Sequence, residues 1–194
     1  AVEKDSGEWV YKYSSVNVIN RPGWFRDASQ QGEGIVDVTT KLVELVQWEC
    51  FPEQSMDYTK EIEVLAAKRW STNMTISQFK TITKLDSFPS YQQKNLLNDT
   101  TLQVWSNGEI NYQLRGVHAK VSVVWDYQAP GGSDTHYSMI RGTKASLIIR
   151  QGAAQQYKPT LYIEPVKDDP AYEKKLMDQV KKIQAKFPGV ELKK

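Results

Sequence analysis

The chain has 194 residues, enough for one domain with a proper hydrophobic core or at most two small ones. Its charged fraction of 25% and hydrophobic fraction of 40% are typical of globular proteins and argue against disorder. A net charge of +2 without an arginine-rich stripe argues against nucleic acid as a partner, and no apolar run is long enough to span a membrane. The single cysteine, Cys50, excludes an internal disulfide and a multi-thiolate metal site.

The first sixteen residues are polar, with aromatic side chains alternating at Trp9, Tyr11 and Tyr13. This alternation predicts an edge strand or an extended lead-in to the domain. The chain begins with Ala1 and shows no basic segment followed by an apolar one, so we expect it to be processed or to be a fragment of something longer.

A loop is predicted over residues 17–31, because this stretch contains Pro22, Gly23 and a polar run that ends at Gly32. We expect Trp24 and Phe25 to fix the loop to the body of the domain. The two glycines Gly32 and Gly34 do not fit a complete dinucleotide-binding motif, since Asp37 stands at the third glycine position and no strong strand precedes them. They are predicted to let the loop turn sharply into a helix.

That helix is predicted to run from about Gly34 to Cys50 and to be ended by Pro52. Its apolar residues recur at spacings of three and four, which predicts one buried stripe that contains Ile35, Val38, Leu42 and Leu45.

Four chemically suggestive side chains follow a different side of the same helix. At about 100° per residue they fall within one narrow arc, and they are Asp37, Lys41, Glu44 and Trp48. The same spacing fits a solvent-exposed ion pair, worth a few tenths of a kcal/mol and common on protein surfaces.

The remaining elements are predicted from periodicity and turn residues. The first of them are a strand over Tyr58–Trp70, a helix over Thr75–Lys84 capped by Thr75 or Asn73, and a long connection over Phe88–Asp99. A type I′ hairpin turn is predicted at Asn107–Gly108, followed by a strand that ends at Leu114, a strand over Val117–Tyr127 and a turn over Pro130–Asp134. The last elements are strands over Thr135–Arg141, Lys144–Gln151 and Tyr157–Glu164, and a final helix that Asp169 caps and Pro188 ends.

These elements predict an α+β fold with a single large, mostly antiparallel sheet. The Gly34 helix and the Asp169 helix are expected on one face of the sheet. The other face is expected to be free for a partner, with Tyr112, Val123 and Trp125 among its apolar positions.

Three segments resemble a known family: Arg21–Asp27 with its Trp24-x-x-Asp27 pattern, the Gly32-Glu33-Gly34 turn, and the helix that carries Asp37, Lys41 and Glu44. Together with Arg141–Leu147, they resemble the C-terminal domain of Gfo/Idh/MocA-type oxidoreductases, and in particular the oxidoreductase C-terminal domain found in Bacteroides-type bacteria. The resemblance covers residues 17–190 and is most specific in the helix. The family's D-x-x-x-H-x-x-D motif falls on this helix, with Lys41 at the histidine position and Glu44 at the second acid. At a later position, Ala145 stands where the family usually has glycine.

The resemblance implies the substrate-binding and oligomerising half of an NAD- or NADP-dependent oxidoreductase that acts on a sugar or polyol. The cofactor would be bound mainly by an upstream nucleotide-binding domain, and none is expected on this chain. The implied catalytic residues are Asp37, Lys41 and Glu44, and we assign substrate binding to Trp24, Trp48 and His136. A homo-oligomer is expected through the sheet face, in a bacterial cytoplasm or periplasm.

Two other functions remain open at this point. The chain could be a non-catalytic domain that binds a carbohydrate or a protein, since a lysine replaces the expected histidine. It could also be a dimerisation module without a ligand. His118 and His136 lie eighteen residues apart without metal-ligand spacing, so no metal site is expected.

Overall fold

The computed structural model describes residues 1–14, 17–128 and 133–193 and shows an α+β fold. This confirms the predicted fold class. The strands are β1 Val2–Tyr11, β2 Tyr13–Ser14, β3 Asn17–Val18, β4 Ile62–Thr75, β5 Leu96–Asn98, β6 Thr101–Leu114, β7 Val117–Gln128, β8 Thr135–Arg141, β9 Ala145–Gln151 and β10 Thr160–Pro165.

The α-helices are α1 Ala28–Gln31, α2 Ile35–Cys50, α3 Tyr58–Glu61, α4 Ile76–Thr83 and α5 Pro170–Lys186, and short 3-10 turns cover Gly23–Arg26, Ser90–Asn95 and Ala153–Gln155. The predicted caps of two helices are confirmed. Thr75 forms a reciprocal capping box with Gln78 at the start of α4, and the Asp169 carboxylate accepts hydrogen bonds from the first backbone N–H groups of α5. Within the described residues, no helix is both long and apolar enough to cross a membrane.

Eight strands form one sheet in the order β10-β9-β8-β1-β7-β6-β4, with β5 also paired to β6. The first strand is therefore interior, not the edge strand or lead-in that its polar sequence predicted. It pairs in parallel with β7 and antiparallel with β8. Its polar residues misled the prediction because Lys4 and Ser6 are buried among partners that only the fold supplies.

Helix α2 packs across β7, β1 and β6, and the core lies between this helix and the sheet. Tyr112, Val123 and Trp125 are at most 4% exposed and belong to this core, so the prediction that they form the open face was wrong. The opposite face of the central strands instead carries a row of alternating charges, in which Glu109 and Lys120 are the middle members.

The predicted turn at Asn107–Gly108 lies inside the continuous strand β6. The hairpin between β6 and β7 turns at Arg115 and Gly116, which both have positive φ. The Asn107 side chain explains the difference, because it donates to the backbone carbonyl of Trp70 in β4 and accepts from the backbone N–H of Trp125 in β7. Gly108 provides space for the first turn of α2, which lies directly on the strand.

Gly108→Ala is expected to lower the free energy of unfolding by about 1–3 kcal/mol. A β-carbon at this position would lie 1.9 Å from Ile35 Cδ1 and 3.1 Å from the Lys68 carbonyl oxygen, so helix or strand must shift. Urea unfolding measures the effect. Gly152→Ala is the control, since its β-carbon would meet only the Gln155 side chain at 3.7 Å. Equal stability of the two variants would contradict this close packing.

Other boundaries differ modestly from the sequence prediction. The strand expected from Tyr58 begins at Ile62 after a short helix, and the last strand begins at Thr160. The turn predicted over Pro130–Asp134 lies largely outside the described residues.

Candidate functional site

The predicted face of α2 is the outer face of that helix. The buried residues of α2 are Thr39, Leu42 and Val46. Of the stripe predicted to be buried, only Leu42 is fully buried, so the observed stripe is offset from the predicted one. Asp37 is half-buried, whereas Lys41, Glu44 and Trp48 are exposed, Trp48 at 67%. We refer to Asp37, Lys41, Glu44 and Trp48 as the exposed row.

Lys41 does not form the simple carboxylate ion pair that its spacing from Asp37 suggests. Its Nζ donates to the backbone carbonyl oxygen of Asp37 at 2.9 Å. The Asp37 carboxylate is therefore not the acceptor of this bond, and it can accept hydrogen bonds from hydroxyl groups. The row thus combines two carboxylates, one ammonium donor and an indole, on which the apolar face of a ring can stack.

A tight turn precedes the exposed row, as the glycines predicted. Gly32 has a φ of +81°, which favours glycine, and a β-carbon on Gly34 would lie 2.8 Å from the Ser106 Cβ. Between them, Glu33 pairs with Arg69 of β4 and fixes the turn to the sheet. The first turn of α2 is therefore held against the sheet.

The segment before this turn is held at several points. The Arg21 N–H donates to the Ile82 carbonyl at the end of α4, and the Gln92 amide donates to the Gly23 carbonyl. The buried Asp27 carboxylate accepts from Ser29 and Gln30 and caps α1. Hydrogen bonds from Ser29 and Gln30 lower the pKa of Asp27 below its usual range. Asp27 of the Trp24-x-x-Asp27 pattern is thus a structural cap.

Two arginines of this segment lie over the Phe25 ring. The guanidinium of Arg21 lies 4.6 Å from the centre of the Phe25 ring. The guanidinium of Arg26 lies 5.0 Å from the Phe25 ring and 5.4 Å from the Trp125 ring. We refer to Arg21 and Arg26 as the arginine pair.

The pKa of Arg26 is lower than is usual for an arginine. Burial, and then the charge of Arg21, lower the pKa of Arg26 to about 10, while the Asp37 carboxylate acts in the opposite direction. Arg26 remains charged at neutral pH. Arg26 is therefore an electrostatic neighbour of Asp37, the first residue of the exposed row.

A second polar cluster lies under α2, near its C-terminal end. Lys4 is fully buried, and its Nζ lies 2.7 Å from the Glu49 carboxylate and 2.6 Å from the Ser138 hydroxyl. His136 belongs to this cluster. Burial, and then the charge of Lys4, lower the pKa of His136 below its usual range, so the imidazole is neutral at neutral pH.

The structure brings together some of the predicted site residues and separates others. Asp37, Lys41, Glu44 and Trp48 share one face. His136 is close enough to Lys4 and Glu49 for their charges to affect its pKa, and Glu49 lies about 18 Å along the helix from Asp37 at 1.5 Å per residue. Trp24 is 44% exposed and lies on the segment that carries the arginine pair.

Sequence reasoning missed the arginine pair and its contact with Trp125. The spacing Arg21, Phe25, Arg26 was visible, but the approach of Trp125 from a strand a hundred residues away was not. In the described ranges, no three His, Cys, Asp or Glu side chains converge as metal ligands would. A cleft of about 1070 Å³ lies between β10 and α5 and contains none of the predicted site residues.

Comparison with known proteins gives two matches. The family model described as "Putative oxidoreductase C terminal domain" matches residues 1–194. The crystal structure of a protein described as a putative oxidoreductase, from Parabacteroides merdae, is 48% identical, with a TM-score of 0.95. The alignment covers 100% of this chain and 45% of that one, so this chain spans less than half the length of its structural relative. Among curated proteins none matches.

Proposed function

Because the chain belongs to the family of oxidoreductase C-terminal domains, we propose that it binds the substrate of an NAD- or NADP-dependent oxidoreductase of Gfo/Idh/MocA type. The proposed substrate is a sugar or polyol, and the nucleotide-binding domain lies upstream. The observation that carries the proposal is the exposed row, which begins beside the Gly32–Gly34 turn with the half-buried Asp37 and ends with the exposed indole of Trp48.

The chemistry needs a group that positions a carbinol and a group that takes its proton. When bound, the nicotinamide supplies the hydride acceptor. On this chain, Asp37 and Glu44 accept hydrogen bonds from substrate hydroxyls, and Trp48 supplies an apolar surface for the carbon skeleton. Lys41 stands at the position where the resemblance leads us to expect the base, and its Nζ donates to the Asp37 carbonyl.

The test is an assay of the longer protein that joins this chain to its nucleotide-binding domain. We expect it to reduce NAD or NADP in the presence of one or more members of a panel of sugars and polyols. The 194-residue chain by itself should give no reduction, since it lacks the glycine-rich strand–turn–helix unit that binds a pyrophosphate. Absence of reduction with every sugar and polyol, by a correctly folded longer protein, would contradict the proposal.

One observation favours a second function, a carbohydrate-binding domain without catalysis. Lys41 stands where the resemblance leads us to expect histidine, and an ammonium has no free lone pair to accept a proton. In that case the longer protein binds sugars at the exposed row but reduces no nicotinamide.

We also propose that the domain assembles with a second copy through the sheet face opposite α2. This face carries Lys68, Glu109, Lys120 and Glu3 in alternating sign across four strands. Alternating charges let the same surface complement itself in a two-fold contact.

A further inference from the structure

The arginine pair differs from the other arginines of the chain. The chain contains six arginines, and four of them donate a side-chain hydrogen bond: Arg69 to Glu33, Arg115 to Glu61, Arg141 to the Met139 sulfur and Arg150 to Glu164. Within the described residues, neither Arg21 nor Arg26 has a side-chain hydrogen bond or a carboxylate within 4.0 Å. Their positive charges are thus held close together without a bonded counter-charge.

Keeping two such charges together costs free energy unless something compensates for it. Both guanidinium groups lie over the Phe25 ring, and their charges repel each other. Lys12, which lies over the nearby Trp125 ring, is compensated by carboxylates, because it pairs with Glu8 at 2.7 Å and with Asp134 at 2.8 Å. Contact with an aromatic ring stabilises a guanidinium without using its N–H groups in hydrogen bonds.

The surroundings of Trp125 also favour a bound hydrogen-bond acceptor. Trp125 is 4% exposed, and within the described residues its Nε1 has no hydrogen-bond acceptor. Arg26 and Lys12 both lie over this ring, and of these two cations only Lys12 has carboxylate partners. The Trp125 indole N–H without an acceptor and the unpaired guanidinium of Arg26 therefore lie at the same place, which favours a ligand that accepts hydrogen bonds there.

The position of Arg26 relates this place to the exposed row. Its Nη1 would lie 3.5 Å from a β-carbon on Gly34, which puts the guanidinium against the first residues of α2. Asp37 is close enough to affect Arg26 electrostatically but accepts no hydrogen bond from it. A ligand on the exposed row can therefore reach Arg26 with one end while Asp37 accepts from its hydroxyl groups.

We propose that Arg26, supported by the charge of Arg21, binds an anionic group of the substrate, a carboxylate or a phosphate. The proposal rests on the proposed function and narrows its substrate class from sugars and polyols in general to acidic ones: sugar acids or sugar phosphates. Guanidinium groups suit this task, since their planar N–H pairs match the oxygens of carboxylates and phosphates.

Calorimetric titration of the 194-residue chain with D-glucuronate, D-glucose 6-phosphate and D-glucose tests the proposal. We expect at least one of the two acidic ligands to bind, D-glucose to bind at least tenfold more weakly, and added salt to weaken the acidic ligand. Whichever of the two acidic ligands binds more tightly shows whether the site prefers a carboxylate or a phosphate. Equal binding of D-glucose and both acidic ligands, or no binding of either acidic ligand, overturns the proposal.

Three variants locate the site. Arg26→Gln should weaken the acidic ligand about tenfold to a hundredfold, and Arg21→Gln should weaken it severalfold. Arg26→Lys should fall between Arg26→Gln and the parent chain, because it keeps the charge but loses the paired donors. Circular dichroism confirms that each variant is folded.

Arg150→Gln is the matched control. Arg150 also lies over an aromatic ring, that of Tyr162 at 5.4 Å, but it has Glu164 as a partner. Its replacement should leave binding unchanged. If Arg26→Gln weakens the acidic ligand no more than Arg150→Gln does, the site lies elsewhere and the proposal is overturned.

The result can be separated from that of the catalytic proposal. Arg26-dependent anion binding with no nicotinamide reduction by the longer protein supports the anion site and contradicts the oxidoreductase function. Reduction that is equally efficient with neutral and acidic substrates, and unaffected by Arg26→Gln, supports the function and overturns the anion site.

Discussion

Replacing Lys41 with histidine is expected to raise the turnover of the longer protein, with its proposed nucleotide-binding domain, by about 10²- to 10⁴-fold, the usual contribution of a well-placed general acid or base. The Lys41 Nζ donates to the Asp37 carbonyl and has no lone pair free for a substrate proton. A neutral imidazole at the same position offers one. Steady-state rates of nicotinamide reduction measure the change.

The comparison needs three further variants. Lys41→Ala should have no more activity than the parent protein, and Asp37→Asn should reduce the activity of Lys41→His, since Asp37 faces the same ligand. Lys181→His, on the exposed side of α5, controls for the introduction of a histidine and should change nothing. If Lys41→His, Lys41→Ala and Asp37→Asn are all silent, the exposed row is only a solvated helix face.

Glu49→Ala is expected to destabilise the chain by about 3 kcal/mol, the lower end of the cost of breaking a buried ion pair. Lys4 is fully buried, and without Glu49 its ammonium keeps only the Ser138 hydroxyl as a partner. The cost should lie at the lower end because the Glu49 side chain is 29% exposed and solvent therefore weakens the ion pair. Chemical unfolding measures the loss.

Two other variants identify the unpaired lysine as the cause. Adding Lys4→Met to Glu49→Ala should restore most of the lost stability, because methionine fills the volume without a charge. Glu44→Ala, on the exposed side of the same helix, should change stability by less than about 0.5 kcal/mol. A Lys4→Met, Glu49→Ala double variant as unstable as Glu49→Ala alone would show that the buried charge is not the reason.

Sequence reasoning succeeded where a local pattern determines local structure. Helix α2, its preceding glycine turn and the caps Thr75 and Asp169 all depend on side chains within one or two turns. The alternating strands after Thr100 were likewise visible, and the resemblance placed the family.

It failed where distant segments decide the outcome. Asn107–Gly108 has the residues of a tight turn, but α2 lies on Gly108 and Asn107 joins three strands. The polar first strand is interior because Glu49 and Ser138 surround Lys4. The arginine pair was missed for the same reason, since Trp125 reaches Arg26 only in the folded chain.

The most direct test of the central claim is a crystal structure of the longer protein with the proposed nicotinamide cofactor and a sugar or polyol. The account predicts that the nicotinamide ring faces the exposed row, with a substrate hydroxyl about 2.6–3.2 Å from Asp37 or from the side chain at position 41. A nicotinamide ring placed against the open sheet face or against α5, with Asp37 and Lys41 in contact with solvent alone, would contradict it.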